Sequence, residues 1–234
     1  MNKLPILMYH NVTQADEDSF DLTISVEKLE AQLAYLKQKG YETYHLGDLE
    51  NRRDLAVKSV VLTFDDVTVD QLIYAVPLLE KYKMKATFFV PFMYLGKTAS
   101  WTGGTAAVMD IDQLKALPRC IELGFHSYEH RHYAALTEEE IHADFDRCHQ
   151  LIQSAGLTVY PAVAYPYGNF PKKEPQRSAF FDVLRQNGMK MGLRIGNKVN
   201  AFPFKEPFEI KRLDVKGQDS LRLFKLKLRF GKLF

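Results

Sequence analysis

The sequence is poor in cysteine. Two thiols, Cys120 and Cys148, in 234 residues make no disulfide framework, and they lack zinc or redox spacing, so both read as structural. Long apolar runs are also missing, because charged residues break every stretch that would otherwise cross a membrane. The opening Met1-Asn2-Lys3-Leu4-Pro5-Ile6-Leu7-Met8-Tyr9-His10 is interrupted by Pro5, Tyr9 and His10 before it reaches the length of a secretory core. A cytoplasmic chain is the expectation. Charge of one sign is scarce as well. A formal net charge of +2 gives no footprint for nucleic acid, and none is expected as a partner. The charge is unevenly placed, however: from 211 to 234 eight Lys or Arg stand against two Asp, so the basic excess is wholly C-terminal. No repeat or low-complexity tract is visible, and no histidine follows His149.

With 46% hydrophobic and 12% aromatic residues, the chain has material for a sizeable core, and we read 1–234 as a single domain with a basic amphipathic segment at 218–234. Short apolar strands alternate with helical patterns along its whole length. Strands are expected at Pro5–Met8, Tyr41–His45, from Val60, and at Lys85–Val90, Cys120–Phe125, Ala162–Tyr165, Met191–Arg194 and Glu209–Asp214. Between them, Ser25–Lys39, Val69–Lys83, Asp110–Leu117, the segment from Thr137 to about Ser154, and Ser178–Asn187 carry helical periodicity, with a last helix from Ser220. Thr137-Glu138-Glu139-Glu140 has the capping-box pattern. Sustained alternation of this kind means a parallel sheet, and about seven strands favour an α/β fold closed into a distorted (β/α) barrel.

The most informative stretch is Val60-Val61-Leu62-Thr63-Phe64-Asp65-Asp66-Val67, where two carboxylates end an apolar strand. Charge in that position is costly unless a cation or hydrogen-bond donors compensate it. His10, the Asp pair, His126 with His130, and Tyr165 to Tyr167 each follow a predicted strand. In a parallel barrel these strand ends share one face, so residues far apart in sequence converge. His126 and His130 are four apart, and a helical turn between them would put both imidazoles on one side. With one carboxylate they would make a three-ligand metal site. The pair alone is equally a pair of polar loop histidines. The constellation is what points to a metal.

Thr63-Phe64-Asp65-Asp66, His126-Ser127-Tyr128-Glu129-His130 and Tyr165-Pro166-Tyr167-Gly168 resemble, in order and spacing, the first three motifs of the polysaccharide deacetylases, the NodB-homology domains of carbohydrate esterase family 4. Leu7-Met8-Tyr9-His10 is similar to the opening of many members. The resemblance runs from about residue 4 to about 215. It implies a distorted (β/α) barrel, a divalent metal ion, often zinc, and hydrolysis of N-acetyl groups on an N-acetylated glycan. It further implies that Asp66, His126 and His130 hold the metal, that Asp65 is the general base, and that a backbone N–H near Tyr167 helps to bind the oxyanion.

The sequence departs from the family pattern in three places. Val67 stands where a Gly is usual, which is expected to keep φ negative at that turn. Ala164 stands where an Arg commonly orients the base, with Arg194 or Arg212 as stand-ins. The usual C-terminal general-acid His is missing, and His10, at the end of the first strand, is the expected replacement. Some members look permuted in this way. His45, His132, His142 and His149 read as structural or solvated.

Two further readings concern binding. Tyr165, Tyr167 and Trp101 are candidate substrate contacts, Trp101 because a loop indole stacks well on a sugar ring. In the tail, Leu221, Phe224 and Leu228 share one helical face. That face either packs on the barrel or helps a peripheral contact with membrane. The expected function is metal-dependent N-deacetylation of amino sugars in a cell-surface polysaccharide or its lipid-linked precursor. A degenerate glycan-binding barrel and a non-haem iron oxygenase, which also uses two His and a carboxylate, are the rival readings.

Overall fold

The computed structural model describes residues 2–102 and 106–231. Gly103 and Gly104 of the predicted Trp101 loop, and Lys232 to Phe234 of the tail, lie outside the described residues. Seven short, largely buried strands form the core sheet: β1 (Ile6–Tyr9), β2 (Ser59–Asp65), β3 (Ala86–Val90), β4 (Ile121–Phe125), β5 (Ala162–Ala164), β6 (Met191–Ile195) and β7 (Ile210–Asp214). Each pairs in parallel with the next, and β7 returns to β1 through Leu213↔Leu7 and Asp214↔Met8, closing the barrel. The weakest ladder joins β4 to β5 through the single pair Phe125↔Val163, and this is where the barrel is distorted. β2 is buried along its whole length, as a strand covered on both faces must be.

The helices follow the strands around the outside. They are α1 (Val26–Gln38), α2 (Val76–Tyr82), α3 (Ile111–Lys115), α4 (Glu138–Ala155), α5 (Gln176–Gln186) and α6 (Leu221–Phe230). Local signals set their ends. Ser25 caps α1 by accepting from the Lys28 N–H, Thr137 and Glu140 close the capping box of α4, and Gly156 ends that helix at φ 62°. Leu29, Leu33 and Leu36 of α1 bury their stripe against outward residues of β1 and β2 such as Leu7 and Leu62. A smaller cluster that includes Val61, Phe89, Ala164, Leu193 and Ile210 fills the barrel interior.

Two expectations change. Tyr41–His45 forms only the two-residue strand Glu42–Thr43, paired to the lower part of β2 outside the closed ring. The helix expected over Val69–Lys83 is present without a break from Val69 to Tyr82, but its pitch changes: Gln71–Ala75 is a π-helical turn that leads into α2. Pro77 has no N–H to give to a carbonyl of the preceding turn, so one continuous α-helix is not available.

Alternation along the strands puts alternate side chains inside. On β2, Val61, Thr63 and Asp65 are directed as Ile210 and Arg212 are on β7, toward the interior. Gly192, between the inward Met191 and Leu193, faces the outer layer instead, where space is tight. A Cβ on Gly192 would stand 1.9 Å from the Tyr165 hydroxyl. Gly192→Ala is therefore expected to destabilise the fold by about 1–3 kcal/mol, read as a lowered urea midpoint; an unchanged midpoint would contradict this packing.

Candidate active site

A cavity of about 520 Å³ opens at the C-terminal ends of the strands, lined among others by His10, Asp65, Asp66, Trp101, His126, His130, Tyr167 and Arg212. Residues spread over most of the chain meet here because each follows, or lies near the end of, a barrel strand. Asp65 closes β2, and Asp66 is the next residue. His126 follows β4, Tyr167 lies in the turn after β5, and Arg212 comes from inside β7.

Asp66, His126 and His130 converge. Oδ1 of Asp66 lies 3.5 Å from Nε2 of His126 and 3.5 Å from Nε2 of His130, and the two Nε2 atoms are 3.2 Å apart. All three residues are buried, and Asp66 Oδ1 has no hydrogen-bond partner. His126 Nδ1 is 2.8 Å from the Ala164 carbonyl oxygen. A carbonyl only accepts, so Nδ1 carries the proton and Nε2 presents its lone pair to the cluster. The three side chains thus form a possible metal site.

The backbone reaches this geometry by a route that the sequence does not suggest. Asp66 and Val67 both lie in the left-handed region, φ 76° and 42°, which turns the Asp66 carboxylate over the barrel mouth. The expected negative φ at Val67 is therefore wrong. A left-handed conformation costs roughly 1–2 kcal/mol in an L-residue, which full burial of the Val67 side chain, about 1.5–3 kcal/mol, can offset. The helical turn expected between His126 and His130 is also absent. The loop instead turns through positive φ at Ser127 (64°) and His130 (55°). Asp144 of α4 holds it, accepting from the N–H groups of Tyr128 (2.9 Å) and Glu129 (3.3 Å), while Ser127 Oγ accepts from His130 N–H at 2.8 Å.

Asp65 is compensated differently from its neighbour. Arg212, only 1% exposed, reaches through the interior and forms a two-pronged pair with its carboxylate at 2.5 and 2.8 Å. Of the two suggested stand-ins, Arg212 is the one at Asp65. Arg194 lies over the Phe170 ring, 5.6 Å from its centroid. His10 Nε2 stands 3.6 Å from Asp65 Oδ2.

Electrostatics separate the two carboxyls. Burial would raise both. At Asp65 the charges of Arg212, His126 and His10 outweigh that, and the carboxyl is held well below the usual range. At Asp66 burial and the adjacent Asp65 charge push the group up to about 8. Burial also lowers His126 to about 4, and burial with the neighbouring His126 lowers His130 to about 2, so both imidazoles are neutral. His10 is lowered by burial, against the pull of Asp65.

One of the proposed substrate contacts needs correction, and a second has further partners. Tyr165 is fully buried, and its hydroxyl donates to the Phe208 carbonyl at 2.9 Å, so it belongs to the core beneath the rim. Trp101 does line the cavity, but its ring stacks on His130 at 3.9 Å and its Nε1 donates to Asp66 Oδ2 at 3.3 Å. The indole thus packs on residues of the possible metal site while it lines the cavity. Tyr167 is 48% exposed and lies flat against His132 at 3.9 Å, which brings His132 to the rim as well. His45, His142 and His149 lie elsewhere; His45, for example, sits 2.8 Å from the Cys120 carbonyl oxygen.

Sequence reading missed two buried residues. Gln71 donates from Nε2 to the backbone carbonyls of Asp65 (2.6 Å) and His10 (2.9 Å), tying the two strand ends together. Asp144 is the other. Its signal was legible: an acid among Ile141, Phe145 and Cys148 on the buried face of a helix requires donors.

A family profile described as polysaccharide deacetylase matches residues 52–192. YxkH of Bacillus subtilis (strain 168), named for polysaccharide deacetylation, is 26% identical over 196 residues, covering 82% of this chain and 64% of its own. The chain thus spans under two thirds of that relative. Among solved structures, the Streptococcus pyogenes deacetylase PplD in complex with acetate superposes with a TM-score of 0.78 at 22% identity, covering 97% of this chain and 98% of its own. IcaB from Ammonifex degensii gives 0.78 at 22% identity over 98% of each chain. These two likenesses establish the shared barrel. The profile, which matches more than half of the sequence and contains the Asp pair, His126 and His130, establishes the family: the chain belongs to the polysaccharide deacetylases.

Proposed function

We propose that the chain is a metal-dependent hydrolase that removes N-acetyl groups from amino sugars of a cell-surface polysaccharide or its lipid-linked precursor. The observation that carries this reading is the mutual spacing of the three donors, 3.2 to 3.5 Å. Ligands placed tetrahedrally at the usual zinc distances, roughly 2.0–2.1 Å, stand about 3.3 Å apart. Two neutral imidazoles and one carboxylate suit zinc, and the orphaned Asp66 Oδ1 supplies the reason for an ion in a buried site.

Asp66, His126 and His130 would hold the ion. When bound, it supplies a Lewis acid that acidifies a water and polarises the amide carbonyl. Asp65 is kept ionised by Arg212 and is a weak base, suited to taking the proton of a water that is already acidified. Its Oδ2 stands 3.6 Å from His10 Nε2, and in this scheme His10 would hand a proton to the leaving amine. The backbone N–H of Tyr167, in a turn at φ 59°, is the oxyanion donor in this scheme. Trp101, Asp144 and Gln71 act on position: they fix the ligands and the two strand ends against which the amide is held.

With zinc or cobalt supplied, acetate release from N-acetylglucosamine oligomers is expected to fall by about 10²–10⁴ in Asp65→Asn with bound metal unchanged. His10→Ala should lose turnover without losing metal. Full turnover in His10→Ala would remove it as the acid, and no release by the wild type would sink the hydrolase and favour the glycan-binding reading.

Stability should respond to the same pair. A carboxyl depressed in the folded state stabilises above its unfolded value, about 3.9, and loses that contribution only as pH falls through the folded value. Arg212→Met strips Asp65 of its cation and is expected to cost about 3–5 kcal/mol near neutral pH. Burial then raises the Asp65 carboxyl, which takes up a proton on mild acidification, so the penalty shrinks toward about pH 5. Urea unfolding at the two pH values measures this. A penalty that grows on acidification would contradict the assignment.

A further inference from the structure

The last helix has two outward strips that the reaction does not use. α6 buries Phe224 and Leu228, with Phe224 edge-on to Tyr35 of α1 at 6.4 Å, so its inner face is fully accounted for. On the opposite side Leu223, Leu226 and Phe230 recur at helical spacing, with Leu223 39% and Phe230 53% exposed. Beside them, one turn position round, run Arg222, Lys225 and Arg229, all exposed. The segment Leu221–Phe230 contains no acidic residue, and none of these three cations forms an ion pair among the described residues. Lys225 and Arg229 lie over the rings of Tyr35 and Phe230 instead, at 4.7 and 5.0 Å. Lys227, by contrast, points inward and is held by Asp219.

We infer that this outer face of α6 is a docking surface for an anionic lipid bilayer. An apolar strip with a basic strip alongside is the pattern that seats a helix at a membrane interface, the apolar side chains entering the headgroup region while the cations meet lipid charge. Polysaccharide recognition would not need the apolar strip, and the basic strip has no acidic partner among the described residues. Position adds to the argument. The turn leading into α6 is bonded to the loop that forms one wall of the cavity: Ser19 Oγ donates to Gly217 O at 2.8 Å, and Gly217 N–H donates to Asp21 O at 2.9 Å. That loop carries Phe20, 69% exposed, and Leu22, 38% exposed, both lining the cavity. The inference does not depend on which reaction the cavity performs.

The test is co-sedimentation of the purified full chain with phosphatidylcholine vesicles, with and without phosphatidylglycerol. Sedimentation is expected only with the anionic vesicles and should fall as salt is raised. Arg222→Glu/Lys225→Glu/Arg229→Glu should weaken partitioning on the order of a hundredfold or more. Leu223→Ser/Phe230→Ser should weaken it while keeping all charges. Circular dichroism melting shows that each variant is folded, and Arg222→Gln/Lys225→Gln/Arg229→Gln replaces the reversal if it is not. A chain that stays in the supernatant with anionic vesicles, or variants that sediment like the wild type, would overturn the proposal. So would equal binding to neutral vesicles. A dimer in sedimentation velocity that Leu223→Ser/Phe230→Ser disperses, without vesicle binding, would assign the face to a second copy of the chain.

Discussion

Two carboxylates at the mouth of an apolar barrel set the terms for everything around them. Moving one ion of this size into a protein interior carries a penalty of several kcal/mol, and Asp65 and Asp66 are both buried. The fold answers them separately. Asp65 receives the two-pronged Arg212 pair and remains charged. Asp66 receives one long hydrogen bond from Trp101, keeps an oxygen unpartnered, and holds its proton up to about 8. Neighbouring residues with the same side chain thus take opposite states. One is a fixed charge, and the other is a buried carboxyl with an unpartnered oxygen in a possible metal site.

The rim that displays them is built from turns a chain adopts reluctantly. Asp66, Val67, Ser127, His130 and Tyr167 all have positive φ, and none is glycine. Such positions persist only where surrounding contacts over-determine them. The contacts are specific: the Asp66 N–H donates to the Phe89 carbonyl at 3.1 Å, the Val67 carbonyl accepts from Met109 N–H at 2.9 Å, and Asp144 gathers the loop before His130. Strain at the strand ends lets side chains from separate strands point at one volume, which a regular strand-to-helix connection would not do.

The architecture was legible in the sequence because most of the buried parallel strands read as apolar runs, and residues at or just after the ends of several of them carried the chemistry. His10, Asp65, Asp66, His126 and His130 could be drawn together on that basis alone. Side-chain reach was not legible. Arg212 and Arg194 lie on neighbouring strands at similar heights, and only the inward direction of one and the outward direction of the other separates them. Tyr165 and Tyr167 likewise differ in which side of the rim they face. Backbone sign was also hidden, since nothing about Val67 as a residue type predicts φ 42°. Asp144 and Gln71 were detectable only as polar residues on otherwise apolar faces, a signal that says a partner exists without naming it.

The central claim is that Asp66, His126 and His130 are one ion's ligands. The most direct measurement is calorimetric titration of zinc into chelator-treated protein, wild type beside Asp66→Ala and His130→Ala, in buffers of differing ionisation enthalpy. The account predicts about one ion per wild-type chain, with roughly one proton released near neutral pH as Asp66 ionises, and binding lost in both variants. No binding by the wild type, or variants that bind as tightly as it does, would contradict it.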